Sequence, residues 1–492
     1  MAAGPTPPPA RAQVGHVTRR TARNAAVSAG AQVTGKVGTL IWTVLAARIL
    51  SESAFGAFFY ALAVATLLSA VAEWGFDAVM VQRGSRDLTR LPELFSLAIS
   101  WQTLIALPLF LLGGLAVAPS RPDGDARAVL GLVLLAVLLD IWSDSSRAAS
   151  AAAQEQTGTA AALVLQRLAT VVLAAAALLL DLGVVGLAGA FLLGSVVGAA
   201  AHLRALARLG VGFSPRGLDR ASLNDFLQDT WVLGLTSVVL MAVFRLDAVL
   251  LQAFRGDEAV GDYSAAYRLL ETVLFVAFAL RSAVFPVLNN ARTDAAVAAG
   301  LNRGLSPVGL VFLPFGAVCL VEAPAVLDLL YGGDYARDGS SSLRWLAFAP
   351  LAYGIAYLLN AGLQARHLQP QMLRAALLAV IVNVALNLAL LPRFGAAGAA
   401  SATTVTYAVQ AVAVALLLRR NGVATRVLPS MRESLVAAAA LAALLWASPL
   451  PPLVEVPLGG LVYLVLWAAM VRRRDPQQLD VLRTLVRRGS PA

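Results

Sequence analysis

Apolar stretches recur along this chain from residue 25 to residue 471, separated by short breaks rich in polar residues, glycine or proline. A helix of roughly 20 such residues spans the hydrocarbon core of a bilayer, and about fourteen segments of that kind can be counted here. Only helices and closed barrels satisfy their own backbone hydrogen bonds in lipid. The expected fold is therefore all-α, a polytopic membrane protein. Composition agrees: 59% of the 492 residues are apolar and 13% charged, with a mean hydropathy of +0.75. That leaves too little polar surface to coat a water-soluble globule of this size.

The charge is lopsided, 38 basic residues against 28 acidic, and every basic residue except Lys36 is an arginine. The arginines sit at the ends of apolar runs rather than on one patch interleaved with aromatics, which excludes a nucleic-acid surface. They report topology instead. With the N-terminus in the cytoplasm, about 26 basic residues fall on the cytoplasmic side and about 7 on the other, as the positive-inside rule requires. Both termini are thus expected in the cytoplasm. Residues 1–24, which open MAAGPTPPPARAQ, read as a disordered tail without the apolar core of a cleavable signal.

The chain also repeats itself. Residues 51–64, SESAFGAFFYALAV, resemble residues 256–269, GDEAVGDYSAAYRL, with Gly56 on Gly261. The turn LGVVGLAGA at 182–190 resembles FGAAGAASA at 394–402, placing Gly183 on Gly395 and Gly186 on Gly398. Two homologous six-helix bundles follow, residues 25–210 and 220–420, with two further transmembrane helices in 430–472 and a basic tail at 473–492. Parallel repeats of this kind mark transporters.

A charge inside a span costs about 2.5–3.5 kcal/mol on insertion scales, so such residues are functional candidates. The cations are Lys36, Arg167, Arg245, Arg268 and Arg281; the acids are Glu73, Asp77, Asp140, Asp144, Asp247 and Glu271. Arg268 with Glu271, and Asp144 with Arg147, are three apart and can neutralise each other on one helix face. Arg245 and Asp247 are two apart and point to different faces. Lys36 has no acidic residue within a turn of sequence. Each therefore calls for a partner from another helix or from a ligand, and a diphosphate would serve. No phosphate-binding loop, nucleophile elbow or HExxH motif is present, the three histidines show no metal-ligand spacing, and the lone Cys319 forms no internal disulfide. An enzyme, a metal site and a cofactor are not expected.

The stretch RLDAVLLQAFRGDEAVGDYSAAYRLLE, Arg245 to Glu271, resembles the polysaccharide transporter (Wzx-like flippase) branch of the multidrug, oligosaccharidyl-lipid and polysaccharide exporter superfamily. Asp247, Gly261, Tyr263 and Ala266 occupy the places of that family's seventh-helix Asp and Gly-x-Tyr-x-x-Ala entry, and FGAFFYA at Phe55–Ala61 looks like its first repeat. The resemblance implies two six-helix bundles around a V-shaped central cavity and a task, moving an undecaprenyl-diphosphate-linked oligosaccharide across the bacterial cytoplasmic (inner) membrane for lipopolysaccharide or exopolysaccharide synthesis. On this reading Lys36, Arg245 and Arg268 bind substrate, and Asp140, Asp247 and Glu271 are candidates for ion coupling. Expected partners are the lipid-linked oligosaccharide, membrane lipids, and a glycan polymerase and glycosyltransferases. The alternatives are a cation-coupled multidrug exporter or a lipid II flippase of the same superfamily, or, from another class, a glycan polymerase or scaffold. A polymerase is expected to carry a large periplasmic loop, and no such loop occurs in this sequence.

The topology is open to direct measurement. In a Cys319→Ala background, single cysteines replacing Arg86 and Arg216 are expected to react with impermeant maleimide only from the cytoplasmic side, and those replacing Arg121 and Arg337 only from the other. A reversed pattern would overturn the charge argument.

Overall fold

The computed structural model describes residues 10–121, 123–214 and 220–474, and among these every regular element is a helix. In chain order they are α1 (Ala10–Ile49), α2 (Glu52–Glu73), α3 (Phe76–Gly84), α4 (Leu91–Val117), α5 (Gly124–Ala152), α6 (Thr157–Leu179), α7 (Gly183–Ala207), α8 (Arg220–Asn289) and α9 (Asp294–Val321). Then follow α10 (Ala323–Leu330), α11 (Gly333–Asp338), α12 (Ser340–Leu346), α13 (Ala349–Ala365), α14 (Gln369–Arg420), α15 (Val427–Ser430), α16 (Arg432–Ala447) and α17 (Pro452–Arg474).

Ten helical stretches among the described residues are long and apolar enough to cross a membrane. Two of them, α8 and α14, are hairpins. Gly256 interrupts α8 at φ 81°, ψ −173°, and Gly395 interrupts α14 at φ 52°, ψ −130°, conformations that L side chains rarely adopt. The arms fold back on each other, because Asp247 before the first bend meets Tyr263 after it, and Asn383 before the second meets Thr406 after it. Counting two crossings for each, and adding α1 and the 16-residue α16, gives the fourteen expected.

The N-terminal boundary is corrected. Helix α1 begins at Ala10, so the disordered tail expected over 1–24 is helical from residue 10 onward. The reason is local: the prolines end at Pro9, and the Ala- and Arg-rich sequence after them favours helix. Residues 1–9, and residues 475–492 of the expected basic tail, lie outside the described residues.

Contacts divide the chain into two compact units, Met1–Arg245 and Leu246–Ala492. The division falls inside the first arm of α8 rather than in the 210–220 connection, because the start of that arm packs on α3. Phe226 stacks on Phe76 at 5.3 Å between centroids, Arg83 pairs with Asp225 at 2.7 Å, and Gly234 lies against the Trp74 carbonyl. In the second unit α16 and α17 pack on α9, where the Tyr463 hydroxyl donates to the Leu310 carbonyl at 3.0 Å.

Two glycines test this packing. A Cβ on Gly234 would sit 2.6 Å from the Trp74 carbonyl oxygen, and Gly395 holds a backbone reserved for glycine. Gly234→Ala and Gly395→Ala are each expected to cost about 1–3 kcal/mol, read as a lowered melting temperature in detergent. Gly189→Ala, where nothing lies within 4 Å of the added atom, is expected to be neutral.

Candidate functional site

In the first unit, polar residues on one face of α5 meet α6 and α7. Asp140, Asp144 and Arg147 recur at helical spacing and share that face. Arg147 forms an ion pair with Asp144, as the i, i+3 spacing predicts. Asp140 accepts a hydrogen bond from Gln166 Nε2 at 2.7 Å. The helices come this close because Gly194 and Gly198 of α7 leave room for Thr170 and Gln166 of α6, where a Cβ would collide.

Glycines also bring α1 into place. The Cβ position of Gly35 is 3.3 Å from Arg167 Cγ, and that of Gly38 is 3.9 Å from Arg167 Cβ, so the arginine stem lies along α1. The result is a cavity of about 510 Å³ among α1, α5 and α6, whose walls include Lys36, Arg147, Arg167, Gln32, Gln156 and Thr159. All charged side chains that line it are cationic. Asp140 and Asp144 bind residues next to or in the lining, Asp140 accepting from Gln166 and Asp144 pairing with the lining residue Arg147. Such a cavity attracts an anion with several oxygens, since each cation can donate charge-assisted hydrogen bonds.

The same unit holds a second polar cluster. Asp77 of α3 accepts from Gln102 Nε2 of α4 at 3.1 Å and from the Ser145 hydroxyl of α5 at 2.7 Å. Glu73, at the end of α2, interacts electrostatically with both Asp77 and Asp144.

In the second unit Asp247 is 1% exposed. Its carboxylate accepts from the Tyr263 hydroxyl, from Thr403 Oγ1 at 3.0 Å and from the Ala248 amide at 2.7 Å. On the arms of α14, Asn383, Asn387 and Thr406 are all buried and joined, Asn383 to Thr406 at 3.4 Å and Asn387 to the Asn383 side chain at 3.1 Å. Tyr267 and Tyr407 hydroxyls approach to 3.4 Å, and the Tyr407 ring meets Tyr353 at 5.4 Å. Arg268 and Glu271 form an ion pair at 2.5 Å, the two side chains 11% and 14% exposed, so this cation arrives with its countercharge. Arg281 donates to Gln364 Oε1 at 2.5 Å and lies 4.5 Å from the centre of the Tyr357 ring. Arg245 is half-buried on the arm that carries Asp247.

Carrying the glycine registers through both halves shows what the repeat did with this position. Asp247 and Tyr263 fall on Trp42 and Phe58, and Thr403 on Phe191. Those three residues also touch, Trp42 to Phe58 at 5.6 Å and Phe58 to Phe191 at 5.8 Å. The same triangle of helices is apolar in the first unit and hydrogen-bonded around a carboxylate in the second. Among the expected site residues, Lys36 lines the cationic cavity and Asp140 backs it, while Asp247, Arg268 and Glu271 belong to the second unit. Arg147 and Arg167 in the cavity wall, and the buried asparagines of α14, were not singled out from sequence as ligands. The glycine pair Gly35 and Gly38, facing Arg167, was the available signal for the first.

The helical frame, with glycine turns at the matching positions Gly183 and Gly395, and the family matches make this chain a transporter of the multidrug, oligosaccharidyl-lipid and polysaccharide (MOP) exporter superfamily. The lipid II flippase MurJ in an inward closed conformation is similar with a TM-score of 0.77 at 14% identity, over 91% of this chain and 99% of that one. An inward-facing multidrug resistance MATE family transporter gives 0.64 at 17% identity, over 79% and 94%. A MOP superfamily transporter from Pyrococcus furiosus, described as having a binding pocket of reversed polarity, gives 0.60 at 16% identity, over 82% and 95%.

Within that class the chain belongs to the polysaccharide biosynthesis protein family, whose model matches residues 21–291. The model of the lipid II flippase MurJ also matches, over residues 159–450. A probable flippase of Haloferax volcanii, AglR, is 28% identical over 247 residues, 48% of this chain and 50% of the relative. The probable low-salt glycan biosynthesis flippase Agl15 of the same organism is 24% identical over 170 residues, 34% of this chain and 36% of the relative. The matched region thus spans about half the length of the first of these curated relatives and less of the second.

The Asp247 network makes a stability prediction. Tyr263→Phe removes a donor from a buried carboxylate and is expected to cost about 1–3 kcal/mol. Tyr267→Phe, which loses only a 3.4 Å contact between hydroxyls, is expected to cost well under half of that. Equal thermal shifts in detergent would show that the network does not depend on the carboxylate.

Proposed function

We propose that this protein is a flippase that moves a lipid-linked oligosaccharide across the cytoplasmic membrane by alternating access, with both termini in the cytoplasm. The observation that carries the reading is the cavity lined by Lys36, Arg147 and Arg167, three cations around about 510 Å³. A diphosphate supplies the negative oxygens that such a wall binds. The sugars attached to it need no motif, because hydroxyl recognition can be spread over neutral side chains such as Gln32, Gln156 and Thr159. Undecaprenyl diphosphate is the anchor that the family resemblance implies, and the glycan polymerase and glycosyltransferases are the partners that such a substrate requires. Arg245 and Arg268 remain in the proposal as further cations on the substrate path, Arg268 with its charge balanced by Glu271.

Coupling is assigned to Asp247. A carboxylate held by a tyrosine and a threonine hydroxyl can exchange a proton or a sodium ion. Asp140 serves the cavity instead, since Gln166 and the Arg167 field fix it there, and Glu271 serves Arg268. A lipid II flippase is the second reading, favoured by the match of the MurJ model to residues 159–450. A multidrug exporter for cationic compounds fits poorly, because the cavity cations would repel them.

The test is flipping in proteoliposomes, with fluorescent undecaprenyl-diphosphate oligosaccharide and fluorescent lipid II offered separately. Wild type is expected to move the oligosaccharide, the Lys36→Ala, Arg167→Ala double variant to lose at least tenfold in rate, and Asp247→Asn to lose the response to an imposed proton or sodium gradient. Preference for lipid II would select the second reading. Wild-type transport of neither lipid, combined with drug-stimulated cation exchange, would overturn both.

A further inference from the structure

Helices α16 and α17 run antiparallel, so the residues that begin the one, Arg432 and Glu433, meet the residue that ends the other, Arg474. Gly459 lets the pair close: a Cβ there would stand 2.6 Å from Leu441 Cδ1. The last turn of a helix exposes carbonyls with partial negative charge and favours cations, and in α17 that turn holds Arg472, Arg473 and Arg474. Between the two helix ends lies a cavity of about 370 Å³ lined by Arg432, Glu433, Val436, Met470, Arg473 and Arg474. It belongs to the second unit and shares no residue with the cavity that contains Lys36.

Three cations meet one carboxylate in this lining. Glu433 accepts from Arg474 Nη1 at 2.6 Å and lies 3.8 Å from Arg432 Nε, while Arg474 also donates to the Pro429 carbonyl at 3.4 Å. One carboxylate balances one guanidinium, so the cavity keeps an excess of positive charge. Arg432 and Arg473, one on each helix, are both exposed. Deeper in, the walls turn apolar, with Val436 one turn into α16 and Met470 one turn back along α17. Helical spacing continues the apolar strip on α17 through Leu466 and Val462, which are exposed. Guanidinium groups at the end of a membrane span, above an apolar strip, have the layout of a phospholipid: charge at the interface and hydrocarbon below it.

We propose that the crevice between α16 and α17 is a binding site for an anionic phospholipid, with Arg432 and Arg473 on its phosphate and one acyl chain along Met470 and Leu466. The site goes beyond the flippase reading and does not depend on it, because its ligand is a lipid of the surrounding bilayer rather than cargo. Charge selects the headgroup. A guanidinium offers paired donors to phosphate oxygens, and a zwitterionic lipid brings an ammonium group that the arginines repel, whereas phosphatidylglycerol brings none. The apolar strip selects a lipid over a free phosphate ion, since an exposed cation alone holds an anion weakly in water. The bound phosphate also acts on the protein. It joins an arginine of α16 to an arginine of α17, and so fastens helix ends that Glu433 and Arg474 already fasten once. Because both helices pack on α9, that second fastening stabilises the unit as well as the pair.

The experiment counts bound lipids. The purified full chain in detergent is titrated with phosphatidylglycerol and, separately, with phosphatidylcholine of the same acyl chains, and each bound lipid is resolved by native mass spectrometry. Wild type is expected to bind the first phosphatidylglycerol about fivefold more tightly than the first phosphatidylcholine, with a preference that shrinks as salt is raised. The Arg432→Gln, Arg473→Gln variant leaves the Glu433–Arg474 pair in place and is expected to lose most of that preference. The Arg204→Gln, Arg208→Gln variant removes the same charge from the exposed end of α7 and is expected to keep it. Val436→Trp fills the apolar floor with every charge retained, and is expected to weaken phosphatidylglycerol binding several-fold. Equal binding of the two lipids by wild type, or a preference that depends no more on Arg432 and Arg473 than on Arg204 and Arg208, overturns the proposal. Phosphatidylglycerol binding that ignores Val436→Trp does so too, since charge alone then accounts for it, as does its displacement by an equimolar amount of inorganic phosphate. The flippase reading is decided apart from this, by the Lys36 and Arg167 variants.

Discussion

Everything in this molecule depends on the refusal of a bilayer to hydrogen-bond. Backbone groups in hydrocarbon must be satisfied within the protein, which makes every described element helical. The same rule governs side chains. Asp247 is kept by Tyr263 and Thr403, Asp77 by Gln102 and Ser145, Asp140 by Gln166, and Arg268 by Glu271. Where Gln166 reaches Asp140, Gly198 of α7 removes the side chain that would be in the way of Gln166. Polarity and packing are therefore one problem here, solved at the same contacts.

Much of this was legible in the sequence because it is local. Apolar runs define crossings, and arginines at their ends define sides. A spacing of three along a helix sufficed to pair Asp144 with Arg147 and Arg268 with Glu271. The glycine matches anticipated where the bends occur: Gly183 and its counterpart Gly395 both hold positive φ. What was not legible depends on neighbours far away in the chain. Tyr263 is sixteen residues from Asp247 and Thr403 is 156, and no periodicity brings them together. Arg147 reads as a cytoplasmic end residue, and Arg167 as one buried cation among several, until α1 is laid on α6 by Gly35 and Gly38. Neutral polar residues such as Asn383 and Asn387 carry no charge penalty to single them out, yet both are buried and bonded to one another.

The internal repeat separates inheritance from use. Both halves keep the same three contacting positions, yet one fills them with Trp42, Phe58 and Phe191 and the other with Asp247, Tyr263 and Thr403. The cationic cavity, in turn, belongs to the first half. The repeated frame thus carries different chemistry in its two units, a cavity lined by three cations in the first and a hydrogen-bonded carboxylate in the second.

Arg255 gives the second unit a mechanical property. It leaves α8 next to the Gly256 bend and donates to the carbonyls of Leu391, at 3.4 Å, and Pro392, at 2.6 Å, just before the Gly395 bend of α14. The two hairpins are therefore fastened at their tips by one guanidinium and along their length by the Asp247–Thr403 bond. Two strips joined at two points cannot slide past one another. They behave as a single lever, and any rocking within this unit must transmit force through all four arms together.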